Sequence, residues 1–91
     1  MLFRSAENKR AEMFLEKGNT TFEAQKYESA VQYYTRAAEL GNAEAQYKLG
    51  CCYYDGTGVE QDLNEAEYWF RQSADQGMQQ ALIALRRFAE E

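Results

Sequence analysis

The sequence predicts an all-α solenoid, a single domain over 1–91 built from two helical hairpins and a C-terminal capping helix. Three observations point there. The first is composition: the 91 residues include no proline, and Val31, Val59 and Ile83 are the only valines and isoleucines. Frequent Ala, Glu, Gln, Leu and Arg favour helix over strand. The second is an internal repeat. Ala30 pairs with Ala66, Tyr33 with Trp69, Tyr34 with Phe70, Ala38 with Ala74 and Gly41 with Gly77, each 36 residues apart. The same offset relates Ala45 to Ala81 and Leu49 to Leu85, and repeats of this length mark stacked helical units. The third is the apolar spacing inside each copy, at i, i+3, i+4, i+7 and i+8, which is one face of an α-helix.

Five helices follow, over 5–24, 27–40, 43–54, 63–76 and 78–90. The first opens the first hairpin. The second carries the stripe Ala30, Tyr33, Tyr34, Ala37 and Ala38, and Gly41 ends it in the left-handed conformation that glycine adopts without strain. Asn42 then caps the third helix, whose stripe is Ala45, Leu49, Cys52 and Tyr53. The fourth opens on Asp62 with Glu65 three residues on, a capping-box pattern. It carries Ala66, Trp69, Phe70, Ser73 and Ala74 before Gly77 stops it. The fifth bears Ala81, Leu85, Phe88 and Ala89. Alanines let paired helices approach closely, and aromatics fill the gaps between them.

Between the third and fourth helices lies YYDGTGVEQD, Tyr53 to Asp62. Its two glycines invite comparison with a phosphate loop. Such a loop needs a preceding strand and a Lys-Ser/Thr end, and a dinucleotide fingerprint needs a third glycine in a βαβ unit. Neither is present, and Glu60 and Asp62 repel phosphate. The glycines are structural: Gly56 ends the third helix, Gly58 permits a second bend, and Val59 tucks between the helices it joins.

The net charge of −5 argues against a nucleic-acid partner. No stretch approaches the ~20 apolar residues of a membrane span, and MLFRSAENKR lacks the apolar centre of a signal peptide. A cytoplasmic location is the expectation. Cys51 and Cys52, the only two cysteines, point about 100° apart on a helix, too far apart for a mutual disulfide. With no histidine they leave too few ligands for zinc. The missing histidine also removes the commonest general base. The acids sit on solvated helix faces, and the densest cluster, Asp55, Glu60 and Asp62, lacks an EF-hand's order. No catalytic, cofactor or metal site is expected.

Ala43 to Gly77 resembles a Sel-one-like repeat, a relative of the tetratricopeptide repeat. The resemblance rests on Ala45, Leu49, Gly50, Tyr53, Gly56, Gly58, Val59, Asp62, Ala66, Trp69, Phe70 and Ala74. The preceding unit, 11–44, looks more like a tetratricopeptide repeat. Phe14, Gly18, Tyr27, Ala30, Tyr34 and Ala37 stand at that family's spacings, with Lys17 in place of its leucine and Asn42 in place of its final proline. The domain thus divides into 11–44, 43–77 and 78–91. In the last segment Arg86 stands where a further unit carries its close-packing glycine, so that helix reads as a solvated cap.

The resemblance implies a right-handed α–α superhelix whose first helices line the concave side. Its exposed inner positions are then Glu12, Leu15, Asn19, Phe22, Glu23, Glu44, Tyr47, Cys51, Tyr54, Gln80, Ile83 and Arg87. Leu15, Asn19, Phe22, Tyr47, Cys51, Tyr54, Ile83 and Arg87 are the expected partner-binding set. The implied role is a non-catalytic adaptor holding a peptide or partner protein. A chaperone-tail clamp is incomplete, with Asn19 in place but Leu15 and Cys51 standing where a lysine and an asparagine belong. Disulfide-linked members carry cysteines near the turn between repeats. The segment 37–46 has none, which favours a reducing compartment. The alternative role is self-assembly through the end faces, as a scaffold or as part of a longer array, with Met1, Leu2 and Phe3 capping the first hairpin or meeting another copy.

Overall fold

The computed structural model describes residues 2–90, with side chains from Ala6 onward. The expectation for Met1, Leu2 and Phe3 lies outside the described residues and side chains. Five α-helices and no strand occupy the described residues: α1 Leu2–Glu23, α2 Tyr27–Glu39, α3 Ala43–Asp55, α4 Leu63–Asp75 and α5 Gln79–Glu90. The first begins at Leu2 rather than at 5. Hairpins α1–α2 and α3–α4 pack through α2 against α3, and α5 lies on α4, giving an all-α solenoid.

A core cluster joins α1, α2 and α3, and Ala66, Phe70 and Ala81 are buried beyond it on α4 and α5. Ala30, Ala37, Ala45 and Ala66 are fully covered, because a methyl group lets helix axes close in where a larger side chain would hold them apart. Aromatic rings then fill the remaining space against glycine. A methyl group built on Gly18 meets the Tyr34 ring at 2.6 Å, and one on Gly50 meets the Phe70 ring at 2.7 Å. These are equivalent contacts in the two hairpins. Arg86 takes the third such place and is exposed. Leu82 is 39% exposed, whereas its equivalent Gln46 is 5% exposed. Ala89, expected in the α5 stripe, is exposed, and only Ala81 of that helix is buried.

The turns follow local chemistry. Gly41 and Gly77 have φ of +94° and +92°. Just beyond them the Asn42 and Met78 amides reach back to the Ala37 and Ser73 carbonyls, which ties off the helix ends. Asn42 accepts a hydrogen bond from the Ala45 amide at 2.8 Å. Asp62 caps α4 through the Asn64 and Glu65 amides, both at 3.1 Å. The reciprocal half of the expected capping box is replaced: the Asp62 amide donates to the Tyr53 carbonyl at 2.9 Å. That bond closes the 53–62 loop on itself. Gly58 lies against the Tyr27 backbone, and Val59 packs on the core formed by α1, α2 and α3. The loop therefore reaches beyond the two helices it joins and locks the second hairpin onto the first.

A polar seam that sequence patterning does not reveal fixes the inter-hairpin turn. The Ser73 hydroxyl donates to the Ala43 carbonyl at 2.7 Å. The Gln76 amide donates to the Gly41 carbonyl at 2.8 Å and to Gln46 Oε1 at 3.0 Å. Gln46 in turn donates to the Ala38 carbonyl at 3.1 Å. Buried Ser73 and Gln46 thus satisfy their own polar atoms while holding carbonyls at the turn.

Candidate functional site

The first helices of successive units, α1, α3 and α5, share one face, and two hollows open on it. The larger, about 320 Å³, lies between α3 and α5. Tyr47, Cys51, Tyr54 and Asp55 form its α3 wall, Gln80, Ile83, Ala84 and Arg87 its α5 wall, and Phe70 of α4 its floor. The smaller, about 100 Å³, lies on the other side of α3 and is lined by Phe22, Tyr34, Lys48, Cys51, Cys52, Asp55 and Thr57. Cys51 and Asp55 belong to both, so the hollows form one track across three helices.

The walls are stiffened by aromatic contacts. Tyr54 meets Phe88 edge-on with centroids 5.4 Å apart, Phe70 meets Phe88 at 6.1 Å, and Tyr47 lies 5.8 Å from Phe70. Phe22 packs edge-on to Tyr27 at 5.0 Å. Edge-to-face pairs of this kind add to area burial. Arg87 and Asp55 carry no ion pair among the described residues; the pairs there are Lys48–Glu44 and Arg71–Glu67.

Of the eight expected partner-binding residues, the structure brings Tyr47, Cys51, Tyr54, Ile83 and Arg87 together in the larger hollow and puts Phe22 in the smaller. Two stand elsewhere. Leu15 packs against the core, and Asn19 accepts the Tyr34 hydroxyl at 2.8 Å, so its amide supports the α1–α2 hairpin. Asp55 and Phe70 were missed. Asp55 sits at the last turn of α3, and Phe70 reaches through from the second helix of its hairpin.

The chemistry of the track is neutral. Burial raises the Cys51 thiol above its ordinary value and pushes the Cys52 thiol up to about 11. A hydrogen bond with Cys51, and then burial, raise the Tyr47 hydroxyl. Both thiols stay protonated at neutral pH, and protonated thiols are poor nucleophiles. Among the described residues no group of three or more His, Cys, Asp or Glu side chains is placed to hold a metal ion, and no helix is long and apolar enough to cross a membrane.

Burial also pushes the Tyr34 hydroxyl up to about 12. Tyr34 and Cys52 therefore hold their protons more tightly in the folded chain than in the unfolded one. Their contribution to stability is complete below the unfolded values, about 8.5 for cysteine and 10 for tyrosine, and is lost as pH rises through the folded ones. Helicity followed by circular dichroism is expected to hold to about pH 9 and to fall between about pH 9 and 12. Tyr34→Phe should move the upper part of that loss to higher pH. An unchanged profile in that variant would remove Tyr34 from the explanation.

Comparison with known proteins places this geometry among helical repeats. Residues 4–42 and 43–78 each match the family model described as Sel1 repeat, including the hairpin whose spacings resemble a tetratricopeptide repeat. The rat (Rattus norvegicus) DAP3-binding cell death enhancer 1 is 37% identical over 59 residues, covering 65% of this chain and 12% of that protein. The putative sel1-like repeat-containing protein L18 of Acanthamoeba polyphaga mimivirus is 43% identical over 47 residues, 52% of this chain and 8% of that protein. The crystal structure of a Sel1 repeat protein from Oxalobacter formigenes superposes with a TM-score of 0.84 at 29% identity, over 86% of this chain and 24% of that one. The protective antigen c5321 of uropathogenic Escherichia coli, which displays an SLR fold, gives 0.79 at 32% identity, over 89% and 18%. The chain thus spans only a small fraction of the length of these relatives.

Proposed function

The chain belongs to the Sel1 repeat family, whose members generally mediate protein–protein interaction, and from that premise we propose a non-catalytic adaptor that holds a peptide or partner protein on the α1–α3–α5 face. The observation that carries the proposal is the continuity of the track: two hollows sharing Cys51 and Asp55, floored by Phe70 and flanked by aromatic and aliphatic side chains. Concave apolar surface with a few polar groups at its rim is what anchors partner side chains. The rat relative is by name a DAP3-binding protein, in keeping with a protein ligand here. The cytoplasmic location expected from the sequence forms part of the same proposal.

The test is affinity capture of the partner from source cells, followed by titration of the purified pair. Tyr47→Ala and Tyr54→Ala are each expected to weaken binding by about tenfold or more, in the range of a modest hot spot. Lys9→Glu, on an exposed stretch of α1 remote from both hollows, should leave binding intact. Unchanged affinity in both tyrosine variants would end the groove assignment.

A second role, self-assembly, is favoured by α5. Leu82 and Ile83 are 39% and 49% exposed on that helix. Sedimentation velocity at rising concentration tests it: a dimer that disappears in Leu82→Ser supports assembly, and a monomer throughout excludes it.

A further inference from the structure

We propose that two copies of this chain pair through α5, antiparallel about a two-fold axis, each α5 taking the place on the other that α4 holds on α3; this rests on the self-assembly role above and gives it a geometry. Met78, Leu82, Leu85 and Ala89 recur at intervals of four, three and four residues, which is the spacing of a seam between two helices. Leu82 and Ala89 are exposed, and Met78 and Leu85 partly so. The same side of α3 is covered. Gln46, the equivalent of Leu82, meets the Gln76 side chain, and Gly50, the equivalent of Arg86, lies against the Phe70 ring.

Side-chain chemistry selects the occupant. Arg86 fills the place where Phe70 closes on Gly50, so a further helix of the α4 kind, with a ring at that position, cannot approach α5. The other end of the stack does not match the seam either. In the register set by Gly18 and Gly50, Met13, Lys17 and Thr20 stand on α1 where α3 has buried Ala45, Leu49 and Cys52. Met13, Lys17 and Thr20 are exposed, and a head-to-tail filament would bury that polar face. A second α5 does match. Run antiparallel, the seam sets Leu82 against Leu85 of the second copy and Met78 against its Ala89, a long side chain over a short one, and the two-fold repeats both layers. Arg86 is left at the edge of the seam, about 3 Å along the axis from Gln79 of the second copy, whose amide oxygen can accept from it. Glu90 stands one turn on from Arg86 on the same helix. A contact that uses the same patch on both copies closes at two. Gln80, Ile83, Ala84 and Arg87, the α5 wall of the larger hollow, lie off the seam. Both tracks therefore stay open, and the pair presents two of them to one partner, which raises avidity.

Sedimentation equilibrium of the intact chain reads the pairing. A seam along one 12-residue helix is small beside the interfaces of stable dimers, which bury about 1,200–2,000 Å², so a dimer dissociating at about 10–100 μM is expected. Gln79 is exposed at the start of α5. Gln79→Glu sets two carboxylates beside two Arg86 side chains and should tighten the dimer about three- to tenfold. Gln79→Arg should loosen it by a similar factor, and adding Arg86→Glu to that variant should restore tight pairing. Residues 79 and 86 lie two turns apart on one helix, so only a contact between copies lets one substitution reverse the other. A dimer indifferent to these charges overturns the antiparallel seam and leaves self-assembly to be judged on Leu82→Ser. Species that grow beyond the dimer overturn the two-fold closure in the same way. A monomer up to about 1 mM overturns the seam and the self-assembly role together and gives the α5 face to a chain of different sequence. The adaptor role of the track is decided separately, by partner binding in Tyr47→Ala and Tyr54→Ala.

Discussion

Gly58→Ala is expected to destabilise the folded chain by about 2–4 kcal/mol, combining left-handed backbone strain with overpacking. Gly58 has φ of +73°, and a Cβ built there runs into the Tyr27 carbonyl oxygen and lies 2.6 Å from its carbon. Those atoms belong to backbone at the first residue of α2, so no side chain can swing aside. Relief requires the 53–62 loop to lift away, which pulls Val59 from the core it packs against. Gly41 supplies the control. Its φ is +94°, but nothing lies within 4 Å of a Cβ built there. Gly41→Ala should therefore cost only the conformational part, about 1–2 kcal/mol. Urea unfolding monitored by circular dichroism measures both. If Gly58→Ala proves no costlier than Gly41→Ala, the close approach to Tyr27 carries no energy and the loop is not a lock between hairpins.

Helix spans and stops were legible in the sequence because they depend on local chemistry. The Ala–aromatic stripes need only a period, and Gly41, Gly77 and Asn42 act within a turn of their own position. Much of the track was legible too. A 36-residue register sets Tyr47 and Cys51 on α3 against Ile83 and Arg87 on α5, and all four line one hollow. What could not be read depends on where side chains turn once helices cross. Leu15 and Asn19 hold inner positions in that register, yet Leu15 turns to the core and Asn19 turns to the Tyr34 hydroxyl. Phe70 belongs to the other helix of its hairpin and reaches the track only because Gly50 leaves room for its ring. The Gln46–Gln76 seam joins residues 30 apart, and no periodicity announces it. Likewise the Asp62 amide has two possible partners, and closure of the loop selects Tyr53 over Glu65.

Phe70→Ala is expected to cost about 3–5 kcal/mol, as for other buried phenylalanines cut to alanine. A domain of this size has only about 5–14 kcal/mol in all. The ring is 3% exposed, packs against Gly50, and touches Tyr47 and Phe88, so its loss opens a cavity between α3, α4 and α5. Because the same ring floors the larger hollow, stability and binding must be separated. Phe70→Leu keeps most of the volume and should cost about 1.5 kcal/mol. It leaves a folded chain whose altered floor weakens ligand binding. The cause of the Phe70→Ala loss can then be isolated with Gly50. A methyl group on Gly50 meets ring carbons at 2.7 and 2.8 Å, so Gly50→Ala alone should destabilise by about 1–3 kcal/mol. With the ring gone, the same methyl group enters the vacated space, and alanine is the better helix former by about 1 kcal/mol. Gly50→Ala is therefore expected to turn neutral or stabilising in the Phe70→Ala background, a coupling that residues in direct contact show. Additive losses in that double-mutant cycle would mean that glycine and ring do not meet, and that the close α3–α4 approach has another cause.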